Sequence, residues 1–148
     1  MTTRTRVPAV EGWFTLDEGA PALLGTRCAA CGTVFFPREE RSCRNPECDG
    51  TELAEVRLST RGRVWSYTNA CYQPPPPYVP RSEPFEPFTL AAVELPEEQL
   101  VVLGQVVDGV GVGDLAVGTE VELVLDTLFT DDEANTETVV YKWKPVQV

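Results

Sequence analysis

Apolar and polar residues alternate with a period of two along much of the chain beyond residue 60. In the first such segment, Trp65, Tyr67, Asn69 and Cys71 occupy one set of alternate positions. The segments with this pattern, or with a short apolar run, cover residues 64–72, 88–95, 100–107, 119–125 and 138–144. Because side chains alternate between the two faces of a strand, each segment is predicted to be a β-strand. Five strands favour a small closed barrel, and an immunoglobulin-like sandwich is the alternative, although it needs more strands.

Residues 11–25 show a different pattern, in which aromatic and leucine side chains are interrupted by helix breakers. Trp13, Phe14 and Leu16 precede Gly19 and Pro21. The pattern predicts one or two short helical turns. Their apolar side chains pack either on their own domain or on a partner chain, and the sequence leaves both open.

The densest chemistry in the chain is a set of four cysteines. Cys28 and Cys31 form a C-x2-C pair, and Cys43 and Cys48 form a C-x4-C pair. Each pair has turn-forming neighbours, namely Gly32, Asn45, Pro46, Asp49 and Gly50. Two close thiolate pairs separated by a short loop are typical of a tetrahedral zinc site. Two disulfides or free thiols are the alternatives.

Histidine is absent from the sequence. This excludes Ser-His-Asp and Cys-His catalysis and removes the most common general base. It also means that the predicted zinc site is all-cysteine, with four ligands and no open position for water. Such sites are structural, so we predict one structural zinc ion per chain and no catalytic residues.

The net charge of −11 is concentrated in the second half of the chain. Residues 61–148 hold five basic and fourteen acidic residues. A nucleic-acid surface needs cations to replace condensed counterions, so this half has the wrong sign for one. No apolar run approaches the roughly 20 residues of a membrane span, and residues 1–10 lack the apolar core of a signal peptide. A cytoplasmic location without membrane contact is expected.

A long proline-rich loop lies between the first two predicted strands. Four aromatic residues lie in this loop or at its ends, namely Tyr72, Tyr78, Phe85 and Phe88. Proline cannot donate to a strand ladder, so the loop is predicted to be stiff and outside the sheet, contacting a partner or ligand or covering the barrel. Cys71, just before it, lies in the alternating strand beside Trp65 and Tyr67, so it is predicted to be a buried small hydrophobe. A nucleophilic role is not expected, because no histidine or lysine lies nearby in the sequence to stabilise its thiolate.

The order of these parts resembles a known family. The motifs that carry the resemblance are Gly12-Trp13-Phe14, Leu23-Leu24-Gly25-Thr26-Arg27, Cys28-Ala29-Ala30-Cys31-Gly32, Phe36-Pro37-Arg38, Gly62-Arg63-Val64-Trp65-Ser66-Tyr67-Thr68, Leu90-Ala91-Ala92-Val93-Glu94-Leu95, Leu103-Gly104-Gln105-Val106 and Val117-Gly118-Thr119-Glu120-Val121. They resemble bacterial and archaeal proteins in which a rubredoxin-like zinc ribbon precedes an OB-fold. The chain departs from the family in its C-x4-C pair, where C-x2-C is usual, and in its longer proline-rich loop.

The resemblance implies a mainly β protein with three parts. Residues 1–25 would be an N-terminal docking segment with helical turns, residues 26–55 the zinc ribbon and residues 56–148 a five-stranded OB-fold barrel. Members of the family accompany thiolase-like acyl-CoA enzymes, including thiolases and steroid side-chain aldolases. The implied role is a non-catalytic subunit of a heterotetramer with a thiolase-like catalytic protein, with acyl-CoA contacted near the interface. Trp13, Phe14 and the loop aromatics would contact the partner or ligand.

Two other functions stay open at this point. The chain could be an acyl-CoA carrier, with Arg61, Arg63 and Arg81 meeting the phosphates. It could also be a module that binds single-stranded nucleic acid, with Trp65 and Tyr67 stacking on bases, although its charge opposes this.

Overall fold

The structure is a computed structural model that describes residues 4–16, 21–74 and 86–146. Within these residues the chain forms β-strands and a short 3-10 turn at Val112–Asp114. The strands are β1 (Thr5–Pro8), β2 (Leu24–Cys28), β3 (Val34–Phe35), β4 (Leu53–Arg57), β5 (Arg61–Ala70), β6 (Phe88–Leu95), β7 (Leu100–Val106), β8 (Glu120–Asp131) and β9 (Thr136–Pro145). No helix in this part of the chain is long and apolar enough to cross a membrane.

Strands β5 to β9 form the predicted five-stranded closed barrel. Their order in the sheet is β9-β7-β6-β5-β8, and a second pairing between β8 and β9 closes it. All of these pairs are antiparallel except β7 with β9, which is parallel. Because β8 and β9 pair with each other, the five-stranded sheet does not end in two open strand edges. Open edges can pair with other chains and cause aggregation.

Alternate positions on the barrel strands fill the interior, as the period-two pattern predicts. Val64, Val93 and Val102 are each at most 2% exposed, and Trp143 is completely buried. Gly104 makes room for this tryptophan, because a Cβ at residue 104 would lie 2.8 Å from the Trp143 Nε1 atom. The barrel is therefore a packed core, in which a small residue on β7 faces a large one on β9.

The described part of the N-terminal segment contains a strand, turns and an isolated bridge but no helix, so the predicted helical turns are wrong there. β1 adds to the sheet by pairing in parallel with β9, so that Thr5 faces Thr136. Phe14 then forms an antiparallel bridge with Leu23, and the Leu24 N–H donates to the Trp13 carbonyl at 2.8 Å. Pairing with distant strands satisfies the backbone groups that a helix would have satisfied locally.

A second sheet, of three strands, carries the cysteine region. Its order is β3-β2-β4, with both pairs antiparallel. The pairing of Leu24 with Arg57 extends this sheet to residue 57, two positions past the expected ribbon boundary at residue 55.

The three-stranded sheet and the barrel share one hydrophobic core. Phe14, Leu23 and Leu58 are at most 5% exposed and cluster with the barrel interior. Phe14 and Phe36 both pack edge-on against Tyr141 of β9, with ring centroids 5.9 and 6.1 Å away. The cysteine region is thus fixed against one side of the barrel by aromatic packing.

Cys71 is exposed, so the prediction of a buried thiol is wrong. The end of β5 at Ala70 explains this. Cys71 therefore lies beyond the last residue that the barrel covers.

Candidate metal centre

The first cysteine pair lies at the turn that leaves β2. Cys28 is the last residue of the strand and is 1% exposed, whereas Cys31 is exposed. Gly32 adopts a positive φ of 79°, which a glycine tolerates in a tight turn. Its N–H donates to the Cys28 carbonyl at 2.9 Å, and the Cys28 N–H donates to the Thr33 carbonyl at 2.9 Å. The tight turn brings both sulfurs to the same side.

The second pair lies in the loop between β3 and β4. The Asn45 N–H donates to Cys43 Sγ at 3.4 Å, and the Gly50 N–H donates to Cys48 Sγ at 3.4 Å. The ends of the loop are tied by a bond of 2.9 Å from the Cys43 N–H to the Gly50 carbonyl. Backbone donors aimed at sulfur stabilise thiolates, so this loop also has the features of a metal-binding knuckle.

The two pairs converge on one point. The sulfur atoms of Cys28, Cys31, Cys43 and Cys48 all lie within 4.8 Å of one another. The Cys28 and Cys48 sulfurs are 3.8 Å apart, and those of Cys31 and Cys43 are 3.5 Å apart. A tetrahedral ion with Zn–S bonds of about 2.3 Å requires sulfurs separated by about 3.8 Å. The four cysteines therefore form a site that fits one zinc ion.

Gly50 leaves the space in which these sulfurs meet. A Cβ at residue 50 would lie 2.8 Å from Cys28 Sγ and 3.3 Å from Cys48 Sγ. Any larger residue would push the sulfurs apart unless the loop moved. The turn residue noted in the sequence is thus also part of the packing around the metal site.

The thiols differ in acidity before metal binds. A hydrogen bond from the Thr33 side chain, 3.1 Å from Cys31 Sγ, lowers the pKa of Cys31 to about 6. The Asn45 N–H favours the Cys43 thiolate, but burial and the neighbouring thiols oppose it and together raise the pKa of Cys43 to about 12. Four thiolates cannot coexist at this distance without a cation, and zinc would supply that charge.

The site is saturated by its own ligands. Four cysteines complete a tetrahedral shell, so a bound zinc ion would have no position for water or substrate. It would hold β2 and the β3–β4 loop together, a structural role. Among the described residues no other group of three or more potential ligands lies close enough to bind a metal ion.

The aromatic residues proposed for partner contact have different surroundings. Trp13 packs on Phe36 with ring centroids 5.4 Å apart, and Phe14 is 5% exposed, which leaves it little surface for a partner. Tyr72 is 78% exposed, and Phe88 begins β6 and is partly buried. Tyr78 and Phe85 lie outside the described residues. Partner contact by these six stays a prediction.

The structure also places residues that the sequence did not single out. Lys142 has only 2% of its side chain exposed, and its Nζ atom donates to Asp126 at 2.7 Å and to Asp108 at 3.3 Å. Leu103, on β7, is 57% exposed. Strand alternation gives the side of the sheet on which each residue lies, but whether a loop covers that side depends on residues far away in the sequence.

Comparisons with known proteins cover almost the whole chain. The family model of the ChsH2 rubredoxin-like zinc ribbon domain matches residues 19–54, and that of the ChsH2 C-terminal OB-fold domain matches residues 55–126. A DUF35 domain-containing scaffold protein of Methanocaldococcus jannaschii is 35% identical over 143 residues, which cover 93% of this chain and 91% of that protein.

Two further matches are proteins named as parts of enzymes. The benzoylsuccinyl-CoA thiolase subunit BbsA of Geobacter metallireducens is 33% identical over 130 residues, covering 88% of this chain and 79% of the subunit. A solved structure of the Ltp2-ChsH2(DUF35) aldolase superposes with a TM-score of 0.54 at 29% identity, covering 84% of each chain.

Proposed function

Because the chain belongs to the DUF35 family, in which a ChsH2-type zinc ribbon precedes an OB-fold, we propose that it is a non-catalytic accessory subunit of a thiolase-like acyl-CoA enzyme. The observation that carries the proposal is the near full-length similarity to proteins named as a scaffold and as a thiolase subunit. The similarity includes both structural parts, so it does not reflect a shared metal motif alone.

The chemistry of the chain agrees with a supporting role. The sequence has no histidine, and its four clustered cysteines leave a bound zinc ion no open coordination position. Among the described residues, the exposed Cys71 sulfur has the Asn69 side-chain amide and carbonyl as hydrogen-bond partners, each at 3.5 Å, and neither is a base that activates a thiol. The reacting groups would come from the partner.

Two reactions are candidates for the complex that this chain would join. The partner would be a steroid side-chain retro-aldolase or a thiolase, and the acyl-CoA would bind at or near the interface in a heterotetramer. The aldolase is suggested by the solved relative, and the thiolase by the BbsA subunit.

The carrier alternative is less favoured by the geometry. Of the three arginines considered for CoA phosphates, Arg61 lies 3.5 Å from Glu120 and 3.7 Å from Glu122. These carboxylates offset its charge and compete with a phosphate. Arg81 lies outside the described residues. The net charge of −11 likewise disfavours the nucleic-acid alternative.

Co-expression with a thiolase-like protein from the same organism tests the proposal. We expect the two to copurify, and the catalytic protein to lose solubility or activity when made alone. Cleavage of a steroid β-hydroxyacyl-CoA to a ketone and a shorter acyl-CoA would identify an aldolase. CoA-dependent cleavage of a β-ketoacyl-CoA would identify a thiolase. Full activity of the catalytic protein without this chain would refute the accessory role.

A further inference from the structure

The outer surface of β5 and β7 carries apolar side chains in the middle of the barrel wall. Trp65 is 59% exposed, Leu103 is 57% exposed and Val101 is 43% exposed. Outward positions on the strands of a water-soluble barrel are usually polar, because only the inward positions join the core. Apolar residues at several neighbouring outward positions form a patch and require an explanation that single exposed residues do not.

The strand register brings these side chains together across β6. Ala92 pairs with Ser66 of β5 on one side and with Leu103 of β7 on the other. The bulge between Val64 and Ser66 places Trp65 beside this row. Because neighbouring strands lie about 4.8 Å apart, the row from β5 to β7 spans about 10 Å. The outer apolar face comprises Trp65, Ala92, Val101 and Leu103.

Charged groups border this face, and the polar residue in its central row is the uncharged Ser66. Arg63 and Glu94 are paired at one end of the row, and Glu94 also pairs with Val101. At the other end Gln105 pairs with Leu90. An uncharged centre containing a tryptophan, with a polar rim, is the composition of the core of a protein–protein interface.

We propose that the outer apolar face is the surface on which the thiolase-like catalytic subunit docks. The inference rests on the proposed function and adds to it the location of the interface. The area of the face supports an interface there, and the charge of the chain favours such a partner over a second copy of this chain.

The first observation is the area of the face. With the exposures given above, one Trp, one Leu and one Val leave on the order of 300 Å² of apolar surface. This suits the central part of a standard interface, which buries about 800 Å² on each partner. Obligate homodimers and permanent hetero-complexes both bury about 2,000 Å² or more in total, so the area identifies the face as the centre of an interface, and the choice of partner depends on charge.

The second observation is charge. The chain carries a net charge of −11, so a second copy would bring the same charge to the contact. Like charges oppose association, whereas a less acidic partner surface avoids this repulsion. A different protein therefore fits this face better than self-association does.

Two charge-introducing variants test the inference in the co-expressed complex. Leu103→Glu and Trp65→Glu place a carboxylate in the centre of the face at positions that are already exposed, so folding should be kept. Phe129→Glu is the matched control, because Phe129 is 38% exposed on β8, away from the face. Affinity for the purified catalytic protein is measured by calorimetry, and folding is checked by thermal melting and zinc content.

We expect Leu103→Glu and Trp65→Glu to weaken the complex at least tenfold, and Phe129→Glu to bind like the unmodified chain. Unchanged binding by both face variants would overturn this inference while leaving the accessory role intact. Loss of a homodimer in the face variants, with the heteromeric complex retained, would assign the face to a second copy and would also overturn it. If the unmodified chain does not bind the catalytic protein, it is the proposed function that fails.

Discussion

The ring of Phe36, in the cysteine-containing part of the chain, stands edge-on to the ring of Tyr141 in the barrel, with centroids 6.1 Å apart and planes at 83°. Tyr141 also donates its hydroxyl to the Leu103 carbonyl at 2.7 Å. Burial raises the pKa of Tyr141 well above its ordinary value, so the hydroxyl remains a donor at neutral pH. One side chain thus connects the zinc ribbon to β7, the strand that carries the proposed docking face.

This contact predicts measurable coupling between the two parts. Phe36→Leu and Tyr141→Leu should each destabilise the zinc-loaded chain by about 2 kcal/mol, because both rings are partly buried. The double variant should lose about 1 kcal/mol less than the sum, since the edge-on contact can be lost only once. Denaturant unfolding of the four proteins measures this cycle. Strict additivity would mean that the contact does not couple the ribbon and the barrel.

The zinc site predicts a contrast between two cysteine variants. Cys43→Ser should reduce zinc content from one ion per chain and destabilise the ribbon by several kcal/mol, because metal binding supplies folding energy there. Cys71→Ser should keep the zinc and change stability by no more than about 0.5 kcal/mol, since Cys71 is exposed. Elemental analysis and thermal melting measure both effects. A folded, zinc-free Cys43→Ser variant that still binds its partner would show that the metal is dispensable.

Gly50 predicts a steric effect on the metal. Gly50→Ala places a Cβ 2.8 Å from Cys28 Sγ, so zinc affinity should fall by about tenfold or more as the sulfurs move from tetrahedral geometry. Gly113→Ala is the control, because a Cβ at residue 113 has no neighbour within 4 Å. Competition with a chromogenic chelator reports both affinities. Equal zinc affinity in the two variants would contradict the packing described around the sulfurs.

The acidity of the thiols predicts how zinc affinity depends on pH. Cys43, with its pKa raised to about 12, is protonated at neutral pH before zinc binds and must release its proton. Zinc affinity should therefore fall by at least about tenfold per pH unit on acidification from pH 8 to pH 7. Cys31, with its pKa lowered to about 6, is already a thiolate in that range. It adds to the slope only below about pH 6.

Chelator competition at several pH values, combined with calorimetry in buffers of different ionisation enthalpy, gives both the slope and the number of protons released. Zinc affinity that does not change between pH 7 and pH 8 would show that all four thiols are ionised before binding.

The metal site and the barrel strands were predictable because both depend on local pattern. The spacing of Cys28 and Cys31, with a glycine next to them, encodes a knuckle within a few residues. Alternation likewise marks a strand wherever one side faces a core. These signals need no knowledge of distant residues, and the structure confirms them.

The parts that were missed depend on distant contacts. β1 gains its structure by pairing with β9, more than a hundred residues later, and nothing local to residues 5–8 indicates a partner. The bulge beside Trp65 leaves this residue exposed, although Tyr67, two positions later, packs against the core. Cys71 is exposed because β5 ends at Ala70, and alternation alone does not indicate where the paired part of a strand ends. Burial of Lys142 depends on Asp108 and Asp126, which approach it only in the folded barrel.

The most direct test of the accessory role is the mass and metal content of the complex in solution. Light scattering after size exclusion, on this chain co-expressed with a thiolase-like protein from the same organism, should give a heterotetramer with two copies of each chain. Elemental analysis of the same peak should give one zinc ion per copy of this chain. Separate elution of the two proteins, with this zinc-loaded chain running alone, would contradict the account.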